Sequence, residues 1–177
     1  PHAYLAGYES VFQTKAEEYG VNFIQRSRES AEAEDARTIL SFFKQIDYEH
    51  ICIVGVCSPL LRRSTVEGAI ARFQTKGPYP SLYGVKANYD IIFKSDGTLI
   101  DANNGGLNSK EKKPNWISTN SIIIFRRERF FELGTYWQYG PDDPHLYEVP
   151  EEEACDVDTE NDFRLAQALY HLQQEDG

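Results

Sequence analysis

The sequence has no methionine, only three cysteines, and no apolar run long enough to cross a bilayer. A membrane-spanning helix needs about twenty mostly apolar residues in a row, so none is expected, and no secretory signal pattern is visible. Cys52, Cys57 and Cys155 are odd in number and lack C-x-x-C spacing. That argues against a secreted disulfide scaffold and for a reducing, cytoplasmic setting, with Cys52 and Cys57 read as small buried hydrophobes. Positive charge is also scarce: 18 basic side chains face 28 acidic ones, for a net charge of −10. This excludes a general binder of nucleic-acid polymers, which needs clustered Lys and Arg for phosphate backbones. A local basic pocket for a nucleotide stays compatible, with Lys86, Lys110, Lys112, Lys113, Arg126, Arg127 and Arg129 as candidates. A chain that opens at Pro1 and contains no methionine reads as N-terminally incomplete.

At 177 residues the chain has the length of one domain with a real core. Hydrophobic spacing predicts a helix over Ala3–Tyr19 stopped by Gly20, a strand over Val21–Gln25, and a second helix with Ala36, Ile39, Leu40, Phe43 and Ile46 on its buried stripe. The nearly continuous apolar run Ile51–Cys57 predicts a strand covered on both faces. Ser64 and Glu67 have capping-box spacing before a helix carrying Val66, Ala69, Ile70 and Phe73. A strand over Ser81–Ala87 follows, then a hairpin around Ser95-Asp96-Gly97. Residues 101–118 read as a polar, glycine-rich mobile loop. Ser121–Phe125 predicts another buried strand, Arg127–Leu133 a short helix, and Leu146–Val149 a last strand. Helices alternating with apolar strands indicate an α/β three-layer sandwich with a mainly parallel, mixed sheet. The whole of 1–177 is expected to be one domain, with 88–120 as a hairpin and loop insertion.

The most informative stretch is Cys155-Asp156-Val157-Asp158-Thr159-Glu160-Asn161-Asp162-Phe163. Asp156 and Asp158 are two residues apart, so on an extended backbone both carboxylates point to one side. Such a pair suits Mg²⁺, which takes one or two carboxylates and leaves its other positions to water and phosphate. Asp158 or Thr159 also suits an ordinary helix cap, with Phe163, Ala166, Leu169, Tyr170 and Leu172 at helical spacing behind it. Both readings are open on spacing alone. In open α/β sheets ligands gather at the carboxyl ends of strands, and Cys57-Ser58-Pro59 and the acid pair both fall there. His2, His50, His145 and His171 show no metal spacing, and Cys57 has no indicated partner base for a nucleophile's role. No catalytic acid or base is singled out. Trp116, Tyr136, Trp137 and Tyr139 suit either a sugar site or a core, and Glu151–Glu153 reads as a solvated approach.

Four segments in order resemble the CMP-sialic acid synthetase (acylneuraminate cytidylyltransferase) family. Arg26-Ser27-Arg28-Glu29-Ser30 is similar to its Arg-x-x-Glu segment, and Val56-Cys57-Ser58-Pro59-Leu60-Leu61 to its Thr-Ser-Pro strand end. Thr119-Asn120-Ser121-Ile122 resembles its Asn-Gly strand start, and Leu146 through Phe163 its closing strand, Asp-x-Asp pair and helix. The resemblance implies a nucleotide-diphospho-sugar transferase-like, Rossmann-like fold. It further implies a Mg²⁺-dependent reaction of CTP with sialic acid or a similar nonulosonic acid, giving CMP-sugar and pyrophosphate. By the same resemblance Asp156 and Asp158 hold Mg²⁺, Arg26 and Ser58 bind the nucleotide, Asn120 faces the sugar, and the protein is a homodimer or higher homo-oligomer. The family's amino-terminal strand and triphosphate loop have no counterpart in these residues. Gly55, Cys57 and Ser121 stand where the family has glutamine, threonine and glycine. A second reading is therefore a catalytically degenerate member that serves as a nucleotide-binding or assembly module.

Overall fold

The computed structural model describes residues 2–75, 80–100 and 112–175, with residues 174 and 175 by backbone only. In chain order the elements are β1 (Tyr4–Gly7), α1 (Ser10–Glu18), β2 (Asn22–Gln25), α2 (Arg28–Glu32), α3 (Ala36–Ile39) and a 3₁₀ turn (Ser41–Gln45). Then come β3 (His50–Val54), α4 (Arg63–Thr75), β4 (Ser81–Asn88), β5 (Asn115–Arg126), α5 (Arg127–Leu133), β6 (His145–Glu148), a second 3₁₀ turn (Glu151–Glu153) and α6 (Glu160–Glu175). This is an α/β fold with a mixed sheet. The strands form a parallel β1–β2 pair and a four-stranded sheet in the order β3-β5-β4-β6. β4 and β6 run parallel. β3 and β5 run antiparallel, since Arg127 N–H reaches Glu49 O at one end and Gly55 N–H reaches Ser121 O at the other.

The chain divides into two compact units, 1–51 with 125–138 and 52–124 with 139–177. The core of the first is aromatic. Phe43, Phe125 and Phe130 are buried with ring centroids 5.6 to 5.8 Å apart, and Tyr136 stands 5.0 Å from Phe125 and 5.5 Å from Phe130. Such tilted and edge-on pairs add to the area that the rings remove from water. Gly134, at φ +74°, ends α5 in the left-handed conformation that glycine adopts without penalty. In the second unit Ala69 and Phe73 of α4 pack with Leu82, Ile122, Ile124, Val149 and Ala154, with Val66 and Ile70 at the margin.

Several expectations from spacing are corrected. The start of the chain is a strand and a helix, not one helix. Tyr4–Gly7 pairs residue for residue with Asn22–Gln25, and at Gly7 a Cβ would meet the Phe12 side chain at 2.5 Å. The second helix is broken into α2, α3 and a 3₁₀ turn, because Ser27 and Asp35 each cap a fresh start by accepting the amides of Ser30 and Thr38. β3 stops at Val54 and is not covered on both faces, since Val54 and Val56 are exposed. α4 begins at Arg63, so Ser64 is inside the helix and Glu67 pairs with Arg63 at 2.7 Å instead of closing a capping box. Residues 101–111 of the expected loop lie outside the described residues, whereas Asn115–Ser118 belongs to β5 with burial alternating along it. Phe93 and Leu99 form an antiparallel bridge around Gly97. On α6, Ala166 faces inward while Phe163, Leu165, Tyr170 and Leu172 are exposed.

Two measurements check this packing. Phe130→Ala should cost about 3–5 kcal/mol, the usual loss for truncating a buried ring, read as a lower urea midpoint; a change within error would mean that the aromatic cluster carries little of the stability. The Thr38 amide and hydroxyl hold the Asp35 carboxyl below the ordinary aspartate value of 3.8. A carboxylate whose folded pKa is depressed stabilises the fold above its unfolded pKa, and that contribution is lost as pH falls through the folded value. A carbon-13 titration of Asp35 should therefore have its midpoint below 3.8, with the Thr38 amide shifting in step. A midpoint at or above the ordinary value would remove the cap from this account.

Candidate functional site: an acid pair at a strand end

Just past the end of β3 the chain runs close against β5. A Cβ on Gly55 would lie 2.6 Å from the carbonyl oxygen of Asn120, so only glycine permits the contact. Gly55 N–H donates to Ser121 O at 2.9 Å, and Ser58 N–H turns back to Gly55 O at 3.2 Å. One backbone bond joins this turn to the acidic loop, Val157 N–H to Cys57 O at 2.9 Å. Val157 is the residue between Asp156 and Asp158, so the bond fixes both acids beside the strand end. The Cys57 sulfur and a carboxylate oxygen of each aspartate all lie within 4.8 Å of one another.

A buried glutamate braces the same loop from beneath. Glu153 is only 2% exposed, and its Oε2 accepts the Arg62 backbone N–H at 2.9 Å while Oε1 stands 3.8 Å from Arg62 Nε. The expectation of a solvated Glu151–Glu153 run holds for Glu151 and Glu152 and is corrected at Glu153. The Arg62 amide is the donor that this buried carboxyl requires, since a buried acceptor left unpaired costs about 1–3 kcal/mol.

The cap of α6 comes from other residues than the acid pair. Thr159 donates its backbone N–H and its hydroxyl to Asp162 Oδ2 at 2.8 and 2.7 Å, and Asp162 N–H returns to Thr159 Oγ1 at 3.3 Å. This is the reciprocal arrangement of a capping box, with aspartate in the acidic position. The carboxyl groups of Asp156 and Asp158 make no hydrogen bond or ion pair with any described residue. Two carboxylates left free side by side fit the needs of Mg²⁺. The Cys57 sulfur next to them is a soft donor that such a hard cation does not take. Burial, followed by the carboxylates of Asp162 and Asp156, pushes the Cys155 thiol up, and Lys86 opposes them. The Lys86 ammonium is therefore within electrostatic reach of this loop.

Asn120 is exposed and takes the left-handed conformation, φ 52°. Its side-chain oxygen accepts hydrogen bonds from Tyr83 and Ser118, which leaves Nδ2 as a donor unused by the described residues. Thr119 and Ser121 on either side are buried and bonded to each other at 2.6 Å, and Thr119 also donates to Gly84 O at 2.9 Å. Ser58 is buried. Arg26 belongs to the first unit, where Nε and Nη2 donate to the Ser30 hydroxyl and carbonyl and the guanidinium lies 5.7 Å from the Phe42 ring centroid.

The structure thus groups Asp156, Asp158 and the Cys57–Ser58 turn and sets the Asn120 carbonyl against Gly55, while Arg26 serves the packing of α2. Spacing did not mark Cys57 as part of the group. It is exposed, not the buried hydrophobe expected, and its place beside Ser-Pro at a strand end is the one signal that points to it. Tyr83 and Ser118, which orient Asn120, carry no signal in the sequence.

No protein-family model matches the sequence, and no curated protein does. Solved structures do share its fold. One is CMP:2-keto-3-deoxy-manno-octonic acid synthetase complexed with CTP, at 11% identity and a TM-score of 0.62 over 99% of this chain and 82% of that one. Another is 4-diphosphocytidyl-2C-methyl-D-erythritol synthase from Anaerococcus prevotii, at 13% identity and a TM-score of 0.64 over 97% and 81%. A cytidylyltransferase from Leptospira borgpetersenii reaches 14% and 0.50 over 93% and 66%. At such identities the likeness establishes the fold, which is that of the nucleotide-diphospho-sugar transferases.

The brace beneath the acid pair has a direct test. Glu153→Ala should destabilise the protein by about 1.5–3 kcal/mol through loss of the charge-assisted hydrogen bond to the Arg62 amide, and Glu153→Gln, which keeps an acceptor, by clearly less. Equal losses in urea unfolding would show that the hydrogen bond is not what holds the loop.

Proposed function

We propose that this chain forms the catalytic core of a cytoplasmic, Mg²⁺-dependent cytidylyltransferase that activates an acidic sugar, sialic acid or a similar nonulosonic acid. The anomeric hydroxyl of the sugar attacks the α-phosphate of CTP, giving CMP-sugar and releasing pyrophosphate. One observation supports this above all: Asp156 and Asp158 are held together at a strand end with no bonding duty among the described residues, because Thr159 and Asp162 make the helix cap.

In this reading Asp156 and Asp158 hold the metal. Bound there, Mg²⁺ would supply charge neutralisation for the reacting phosphate. Lys86 adds positive charge near the same loop. Ser58 serves the nucleotide, and Asn120 offers its Nδ2 to the sugar. Transfer of this kind asks chiefly for in-line positioning and stabilisation of developing negative charge. The family resemblance adds a homodimer or higher homo-oligomer.

A second reading, a nucleotide-binding or assembly module without turnover, is favoured by Gly55. Where the resembled family carries a glutamine, the Asn120 carbonyl leaves no room for any side chain.

Pyrophosphate release with CTP, Mg²⁺ and a panel of nonulosonic and shorter keto-sugar acids separates the two. The enzyme reading expects turnover with at least one acid. Asp156→Asn and Asp158→Asn should each lower kcat/KM by about a hundredfold or more, as loss of several kcal/mol of metal charge stabilisation requires. Thermal stabilisation by CTP with no turnover on any acid would select the binding module, and wild-type behaviour of both variants would return the acids to the surface.

A further inference from the structure

The first unit contains a cavity of about 510 Å³ lined by Arg37, Lys44, Arg127 and Phe131. Its size is in the range of small-molecule sites, about 300–1,000 Å³. Three of its lining residues are cations, in a chain whose net charge is −10. Ordinary surface cations on such a chain find acids readily, as Arg28, Arg63 and Arg164 do. Arg37 and Lys44 have no ion pair among the described residues. The nearest acid in sequence to Arg37 is Asp35, whose carboxylate is committed to the Thr38 amide at 2.9 Å. Arg127 has Asp47 at 3.7 Å, a fully exposed side chain whose attraction water screens heavily.

The lining is held in place by the scaffold. A Cβ at Gly134 would come within 2.7 Å of Arg37 Nη2, so the guanidinium rests directly against the backbone at the end of α5. Phe131 meets the buried Phe130 edge-on at 5.6 Å, which fixes its ring at the cavity wall. Arg127 is the first residue of α5, and its amide is bonded to Glu49 O at 2.9 Å. Guanidinium forks and an ammonium together match the oxygens of a diphosphate, and a fixed aromatic wall suits the ring that such a group is attached to.

We propose that this cavity is an anion site for a diphosphate-bearing small molecule, with Arg37, Lys44 and Arg127 taking the phosphates and Phe131 lying against the attached ring. It needs no metal and uses none of the residues assigned to the transfer reaction, so it stands or falls apart from that assignment.

The test is calorimetric titration in EDTA with two probes, inorganic pyrophosphate and CDP, on the wild type and on an Asp156→Asn, Asp158→Asn background. Both probes should bind in both proteins, and more weakly as salt rises. Lys44→Glu, at an exposed unpaired position that leaves folding intact, and the double variant Arg37→Ala, Lys44→Ala should each weaken both probes at least about tenfold, the loss expected for a charge-assisted hydrogen bond. Phe131→Ala should erase any preference for CDP over pyrophosphate. Absence of binding by either probe at millimolar concentration, or wild-type affinity in Lys44→Glu, would overturn the proposal. Loss of binding only on the Asp156→Asn, Asp158→Asn background would overturn it too, by placing both probes at the acid pair.

Discussion

The carboxylate of Glu153, withdrawn from water, has its good hydrogen bond from the backbone N–H of Arg62, and that bond ties two segments 91 residues apart. Much of the second unit's chemistry rests on it. On one side it fixes the turn that carries Ser58 into α4, and on the other it sets where the loop leaves β6. Val157 can then reach Cys57 O, and the two aspartates arrive beside the strand end already fixed relative to each other. Preorganisation of this kind spares a site the entropy of gathering its ligands when a substrate arrives. The arrangement also keeps duties separate, since Thr159 and Asp162 satisfy the helix start and the acid pair is spared.

How much of this was legible in the sequence depends on whether the deciding contact is local. α5 is legible because its start, its apolar residues and Gly134 lie within eight positions. The last strand, the acid pair and the start of α6 are legible for the same reason, and so are β4 and the turn at Gly97. Tyr4–Gly7 is not, because its strand state is decided by pairing with Asn22–Gln25, while its own aromatic spacing fits a helical stripe equally well. The break between α2 and α3 hides behind a continuous apolar stripe that Ser27 and Asp35 interrupt by capping. Glu153 illustrates the limit best. Three glutamates in a row look solvated, and only the fold shows that one of them is turned inward to an amide far away in sequence.

The candidate site was legible in part for the same physical reason. Asp156 and Asp158 are marked by spacing, and their freedom from capping follows from a neighbouring Thr-x-x-Asp pattern that spacing could rank but not decide. Of the basic cavity only Arg127 was marked, as one of several basic residues that a local nucleotide pocket could draw on. Arg37, Lys44 and Arg127 lie on three different elements, and nothing in their separation along the chain brings them together. Its cations become visible only when the acids that would ordinarily neutralise them are seen to be engaged elsewhere or exposed to water.

The contact between Gly55 and the Asn120 carbonyl constrains how this protein can change. Two backbones that touch across a missing side chain couple positions that are 65 residues apart. A larger residue at position 55 requires β5 to move first, and β5 is pinned there to β4 by the Thr119 hydroxyl, which donates to Gly84 O. Substitutions at such positions are not additive, so their order matters. A route toward a side chain at position 55 passes through positions 119 to 121, and variants sampled one at a time along the chain would register only the dead ends.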